Sequence, residues 1–146
     1  MSGYWDRDLH LDLDAIQKWG AAAVITLVEP KELAFLRVEP LGKEVLHRGM
    51  RWFHLPIADV STPDEHFERQ WVVAGDEIRT LLRSGHDVLV HCRGGLGRAG
   101  MIAARLLVEL GMGPTTAIRQ VRAVRPGAIE TSQQEEYVLG LGSTTP

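Results

Sequence analysis

The stretch His91-Cys92-Arg93-Gly94-Gly95-Leu96-Gly97-Arg98 sets a thiol near one end of a glycine-rich turn and a guanidinium at the other. An apolar run, Val88-Leu89-Val90, precedes it, and a segment of helical spacing begins near Ala99. That order reads as strand, tight turn and helix N-terminus. A helix N-terminus carries unpaired N–H groups and the positive end of the helix dipole, so it favours a bound anion. Gly94, Gly95 and Gly97 allow the positive backbone angles that turn successive N–H groups inward as a cradle. Thiols at helix N-termini or beside cations titrate at roughly 3.5–7.5, low enough to be nucleophilic at neutral pH. Arg98 offers a planar fork that matches two phosphate oxygens. Together these residues could attack phosphorus and bind the oxygens around it. The competing reading is a glycine turn around a buried, inert thiol.

His-Cys, five residues and then Arg resembles the phosphate-binding loop of the protein tyrosine phosphatase superfamily, in its dual-specificity branch. With Pro56-Ile57-Ala58-Asp59 upstream, the wording is similar to the kinase-associated (cyclin-dependent kinase inhibitor 3-like) phosphatases, from about Asp14 to about Tyr137. The resemblance implies a cysteine-dependent phosphomonoester hydrolase that works on phosphoproteins through a phosphocysteine intermediate. It assigns Cys92 as nucleophile and Asp59 as the acid that protonates the leaving oxygen and later acts as base. Arg93, Gly94, Gly95, Leu96, Gly97 and Arg98 would hold the phosphate, and His91 would brace the loop. The segment Arg125 to Thr131 resembles the family's glutamine loop, with Gln134 matching its second glutamine.

Two positions depart from the pattern. Where the family usually has Ser or Thr after the loop arginine, this chain has Ala99, which removes a hydroxyl donor to the sulfur. Slow breakdown of the phosphocysteine is the expected consequence. Where other members place Gln before Thr131, this chain has Glu130.

Stepping outward, the elements that must hold these residues follow from punctuation and periodicity. Leu9 to Leu13 alternates and reads as a short strand or extended lead-in, with Asp14 capping a helix over Ala15 to Trp19. Ala22 to Val28 is a continuous apolar run, expected as a strand buried on both faces. Pro30 opens a helix through Leu36, and Leu41 to Arg48 is a second one. Arg51 to Leu55 is a strand cut off by Pro56. After a loop over Ile57 to Asp64, a helix runs to Gly85. Phe67, Trp71, Val72, Ala74, Ile78, Leu81 and Leu82 share its inner face, and Asp64, the rival acid, reads as its N-cap. A strand over Val88 to Val90 feeds the turn. Helices follow to Gly111, over Thr115 to Val124, with Val124 on the inner stripe, and over about Ser132 to Leu139. Residues from about 140 to 146 read as a frayed tail. Alternating strands and helices predict one α/β domain over residues 1–146, with a mainly parallel central sheet flanked by helices. Ligands in such folds sit beyond the strands' carboxyl ends, where Cys92 falls.

Composition bounds the partners. With 146 residues the chain can bury a core without staples, and its net charge of −3 argues against nucleic acid or an anionic membrane. The single cysteine excludes an internal disulfide and a resolving thiol, and suits a reducing, cytoplasmic setting. The apolar run from Gly20 to Val28 is too short to span a bilayer. The six histidines lack metal-ligand spacing, so neither metal nor cofactor is expected. Arg119, Arg122 and Arg125 read as a solvated helix face. Trp52, Phe53, Phe67 and Trp71 read as core. A monomer acting on a phosphorylated protein or peptide is the expectation. A phosphate-binding module without turnover and a rhodanese-like sulfurtransferase are the rivals.

Overall fold

The computed structural model describes residues 8–94 and 97–141. The order of elements is α1 (Leu9–Trp19), β1 (Ala21–Thr26), α2 (Pro30–Phe35), α3 (Leu41–His47), β2 (Arg51–His54), α4 (Glu65–Arg83), β3 (Asp87–His91), α5 (Gly97–Glu109), α6 (Pro114–Val124) and α7 (Ser132–Leu141). The three described strands form one sheet in the order β2-β1-β3, and both pairings are parallel. Parallel neighbours need crossovers, and α2 with α3, and then α4, supply them.

Central β1 shows why its sequence is apolar throughout. Ala23, Ile25 and Leu27 face one core with Phe67, Trp71 and Ile78 of α4, Met101 and Ile102 of α5 and Ile118 of α6. Ala21, Val24 and Val28 face the other, with Leu13 of α1, Leu33 and Leu36 at α2, and Leu41 and Val45 of α3. So α1–α3 cover one face and α4–α7 the other. The register aligns Thr26 with His54 on one side and His91 on the other, which brings all three carboxyl ends together.

The N-terminal segment corrects the expectation for it. Leu9 to Leu13 is the first half of α1, not a strand. The N-cap is Asp8, whose side chain accepts from Leu11 N at 3.1 Å. Asp14 lies inside the helix and pairs with Arg48 at 2.8 Å. The run Leu-His-Leu-Asp-Leu satisfies period 2, yet Leu9, Leu13 and Ile16 satisfy the helical period, and only that solution buries Leu13 while leaving Leu11 68% exposed. Two other expected inner residues also point outward: Val72 on α4, and Val124 at the end of α6, which is 85% exposed. Each lies at the edge of its stripe, where helical spacing cannot say how far the neighbouring layer reaches. Asp64 caps α4 as expected, accepting from Phe67 N at 2.8 Å. Gly140 and Leu141 are in α7, and the remainder of the expected tail lies outside the described residues.

No helix among the described residues is long and apolar enough to cross a membrane.

Gly42 is held to its type by packing. A Cβ there would lie 2.2 Å from the Trp52 ring. That ring cannot swing away, because its Nε1–H donates to Thr26 Oγ1 at 2.8 Å and it stacks on His54. The gain in helix propensity on replacing Gly by Ala is at most ~1 kcal/mol, whereas overpacking costs about 1–3 kcal/mol. Gly42→Ala is therefore expected to lower the thermal midpoint, read by circular dichroism; an unchanged or higher midpoint would contradict this packing.

Candidate active site

β3 ends at His91, and Cys92 follows directly. The strand continues a parallel ladder, since Leu27 N donates to His91 O at 3.1 Å. His91 Nε2 lies 2.7 Å from Thr26 Oγ1, the oxygen that also accepts from Trp52 Nε1–H. One buried hydroxyl thus ties the ends of β1, β2 and β3. Burial, helped by the nearby His54, pushes the His91 imidazole down to about 4, so it is neutral at pH 7.

The turn after Cys92 uses glycine where the backbone demands it: Gly94 has φ of +83°. Gly95 and Leu96, two expected phosphate-binding positions, lie outside the described residues. Helix α5 then begins at Gly97. The half-buried sulfur of Cys92 accepts from Ala99 N at 3.4 Å, so a first-turn amide of α5 points at it. Arg93 leans out of the turn, its guanidinium 5.0 Å from the Phe35 ring centroid. Arg125 reaches the turn from α6 and donates to Gly94 O at 3.3 Å.

Arg98 is 1% exposed. Its Nη1 and Nη2 donate to the two oxygens of Glu32 at 2.7 and 2.9 Å, and Nη1 donates again to Ile57 O at 2.9 Å. Burial works against the guanidinium's charge, but Glu32 outweighs it. With Cys92 and Asp59 adding, Arg98 is held above its ordinary pKa. Glu32 shows the mirror effect. Burial would raise its carboxyl, and the bonds from Arg98 and from Glu29 N keep it below the usual carboxylate range. Three of the five N–H donors are thereby committed to protein. The Nε–H and the second Nη2–H form the edge of the fork that takes two phosphate oxygens.

Asp59 stands on the loop after β2, with Oδ1 3.5 Å from Arg98 Nη2 and its side chain 61% exposed. Its carboxylate accepts from Val60 N at 2.9 Å. Gln134 is buried. It accepts from the amides of Glu130 and Thr131 at 3.2 and 3.4 Å and donates to Ser61 O at 3.1 Å. It thus joins the segment before α7 to the loop that carries Asp59. Glu130 Oε1 comes 2.5 Å from where a Cβ would sit on Gly97.

Cys92, Arg98 and Asp59, expected at one locus, do converge, with Asp59 and Cys92 both near the Arg98 guanidinium. Glu32 and Thr26 join them without being singled out by the sequence. Glu32 carried a local signal, because a Glu three residues after Glu29, beside Pro30, reads as a capping box. Of the three arginines expected on a solvated face, Arg119 and Arg125 are exposed, Arg125 also donating to Gly94 O, while Arg122 departs from the expectation by donating to Ala128 O, Ile129 O and Glu135. Among the described residues no group of three or more His, Cys, Asp and Glu is placed to hold a metal ion.

A thiol under a helix amide, beside an oriented guanidinium and an exposed carboxylate, is a layout for phosphoryl transfer. A family model described as the Swiss Army Knife protein, DSP-PTPase phosphatase domain, matches residues 7–138. The chain belongs to the dual-specificity phosphatase family. Cyclin-dependent kinase inhibitor 3 of Rattus norvegicus is 34% identical over 135 residues, covering 90% of this chain and 62% of that protein. The Homo sapiens protein of that name is 33% identical with the same coverage. The chain thus spans about three fifths of the length of these relatives. Among solved structures, kinase associated phosphatase with its catalytic-site cysteine replaced by serine superposes with a TM-score of 0.83 at 29% identity, covering 96% of this chain and 80% of that one. Tk-PTP in its active form gives a TM-score of 0.76 at 33% identity, over 93% and 87% of the two chains. The dual-specificity phosphatase fold of this chain is therefore the setting in which its cysteine, arginine and aspartate meet.

A half-buried histidine held neutral makes the fold acid-sensitive. The folded-state pKa of His91, about 4, lies below the ordinary 6.5 of an imidazole in the unfolded chain. Its contribution is therefore whole above pH 6.5 and is lost as pH falls toward 4, by about 3 kcal/mol in all. Thermal midpoints measured across that window should fall with pH, and His91→Gln should flatten the slope. A parallel slope in the variant would remove His91 as its cause.

Proposed function

We propose that this chain is a cysteine-dependent phosphomonoester hydrolase. Its substrates are phosphoproteins carrying phosphotyrosine, with phosphoserine and phosphothreonine also accepted, and the phosphatase domain matched over residues 7–138 works as a monomer. The observation that carries the reading is the locked guanidinium of Arg98. Glu32 and Ile57 fix its plane, Asp59 stands 3.5 Å from Nη2, and Arg98 belongs to the same first turn of α5 as the Ala99 amide that points at the Cys92 sulfur. The family match and the kinase associated phosphatase fold support the phosphoprotein as substrate.

In the first step the Cys92 thiolate attacks phosphorus and forms the P–S bond as the P–O bond to the leaving group breaks. Asp59 gives its proton to the departing oxygen. The Arg98 edge and the loop amides hold the equatorial oxygens, where charge spreads in the transition state. In the second step water attacks phosphorus, Asp59 takes a proton from it, and the P–S bond breaks to release orthophosphate and the thiolate. Arg93 and Gly94 to Gly97 shape the phosphate site, His91 braces it through Thr26, and Gln134 couples the Asp59 loop to the Glu130 segment.

The decisive experiment is hydrolysis of p-nitrophenyl phosphate and of phosphopeptides. Parent should turn over and Cys92→Ser should not. Asp59→Asn should lose roughly 10²–10⁴-fold in kcat/KM, which reports the first step, on phosphoserine peptides. In kcat/KM it should lose far less on p-nitrophenyl phosphate, whose leaving group needs little help. A parent that binds phosphopeptide without turnover would instead be a binding module.

With an amide and no hydroxyl on the sulfur, the second step should limit the rate. Rapid mixing should show a burst of p-nitrophenol, and Ala99→Ser should raise the steady-state rate. No burst, together with an Ala99→Ser variant no faster than parent, would exclude this.

A further inference from the structure

The segment between α6 and α7 is held more firmly than a surface turn requires. Arg122 donates from Nε to Ala128 O at 3.0 Å and from Nη2 to Ile129 O at 2.9 Å. Gln134 Oε1 takes the next two amides, those of Glu130 and Thr131. Between these clamps Ile129 is buried with φ of +59°. A β-branched residue adopts that left-handed conformation only under strain, and such strain persists where the surroundings over-determine it. The outcome is a fixed shelf at residue 130.

From this shelf the Glu130 side chain turns toward the catalytic loop. Its Oε1 and Cγ would lie 2.5 and 2.9 Å from a Cβ on Gly97, the first residue of α5. A carboxylate therefore stands at the same helix terminus whose Ala99 amide faces the Cys92 sulfur. The nearby cations are engaged elsewhere: Arg98 with Glu32, Arg93 over Phe35, and Arg125 on Gly94 O. Among the described residues none pairs with the Glu130 carboxylate, which belongs to an exposed residue. The other acid at the mouth, Asp59, has the same sign.

We infer that Glu130 is a charge filter on this site, an inference that rests on the phosphatase reading above. Its carboxylate opposes an isolated phosphate dianion in the cradle. It favours phosphoryl groups that have a Lys or Arg beside them in the substrate, because that cation pairs with Glu130 as the phosphate enters. Two like charges several ångströms apart at a partly solvated protein surface shift an affinity by about three- to tenfold.

Cys92 is the only cysteine in the chain, so alkylation reads one site. Iodoacetate is an anion and iodoacetamide is neutral. The ratio of their rates cancels thiol reactivity and reports the local charge. Glu130→Gln should raise that ratio about three- to tenfold at low salt, Glu130→Asp should stay near parent, and the difference should shrink toward 1 M salt. For paired phosphopeptides with Lys or Glu beside the phosphoresidue, kcat/KM should favour Lys in parent, and Glu130→Gln should erase that preference. A rate ratio or a peptide preference unmoved by Glu130→Gln overturns the filter. So does a variant that merely unfolds at lower temperature with an unchanged ratio. Protection of Cys92 from iodoacetamide by inorganic phosphate is the separate arm. Its failure in parent would sink the phosphatase reading, whatever Glu130 does.

Discussion

A guanidinium with almost no exposed surface is tolerable only if its charge and its donors are met inside the protein. Arg98 satisfies this with one carboxylate and one carbonyl from two distant places. Glu32 sits in the first turn of α2, just beyond the carboxyl end of β1, and Ile57 O sits beyond β2. Glu32 is itself steadied by accepting from Glu29 N at 2.9 Å. The pair therefore joins the ends of two strands to the start of α5 and sets the plane of the fork. A buried ion pair contributes little net stability against an apolar substitute, so its value here lies in orientation. With Nη1 wholly committed and Nη2 shared between Glu32 and, at 3.5 Å, the exposed Asp59, the edge from Nε to Nη2 is the one left to meet an oxyanion.

Two further devices keep that edge in place. At the strand ends, Thr26 Oγ1 meets both Trp52 Nε1–H and His91 Nε2, so β1, β2 and β3 cannot slide past one another without opening a buried polar group. At the far side of α5, Arg105 lies seven residues beyond Arg98, about 10.5 Å along the axis. It donates to Glu68 of α4, to Glu109 of its own helix and to the Tyr137 hydroxyl of α7, under the Trp71 ring. Burial would strip its charge, but the two glutamates hold its pKa above the ordinary value. The helix that presents the cradle is thus pinned near both ends by arginines, one toward each side of the sheet.

What the sequence could show was set by range. Glycines and prolines mark the element ends, and the cysteine-to-arginine spacing is local, so the elements and the loop were legible. So was Asp59, through the Pro56 to Asp59 wording. Glu32 was not, because its partner lies 66 residues away and nothing in a capping box says which arginine it will meet. Arg119, Arg122 and Arg125 share a helical spacing that reports angle, not depth. Arg119 stays in solvent, while Arg122 curls back onto the carbonyls of Ala128 and Ile129. The Leu9 to Leu13 run failed for a different reason. Its composition satisfies two periods at once, and the choice is made by α3 and β1, on which Leu13 packs.

The small residues of the loop divide the work. Gly94 supplies a left-handed turn. Gly97 and Gly100 have another duty. A Cβ on Gly100 would meet Ala128 Cβ at 2.9 Å and Ile129 N at 3.1 Å, and one on Gly97 would strike Glu130 and Gln134. Helix α5 and the segment before α7 therefore touch backbone to backbone, and that closeness carries Glu130 to the mouth of the cradle. Ala99 follows from the same packing. Its methyl is buried in the core beneath the sheet, leaving its amide as the group turned to the sulfur. A tight first turn sharpens the anion site and, by the same contact, brings a carboxylate to its edge.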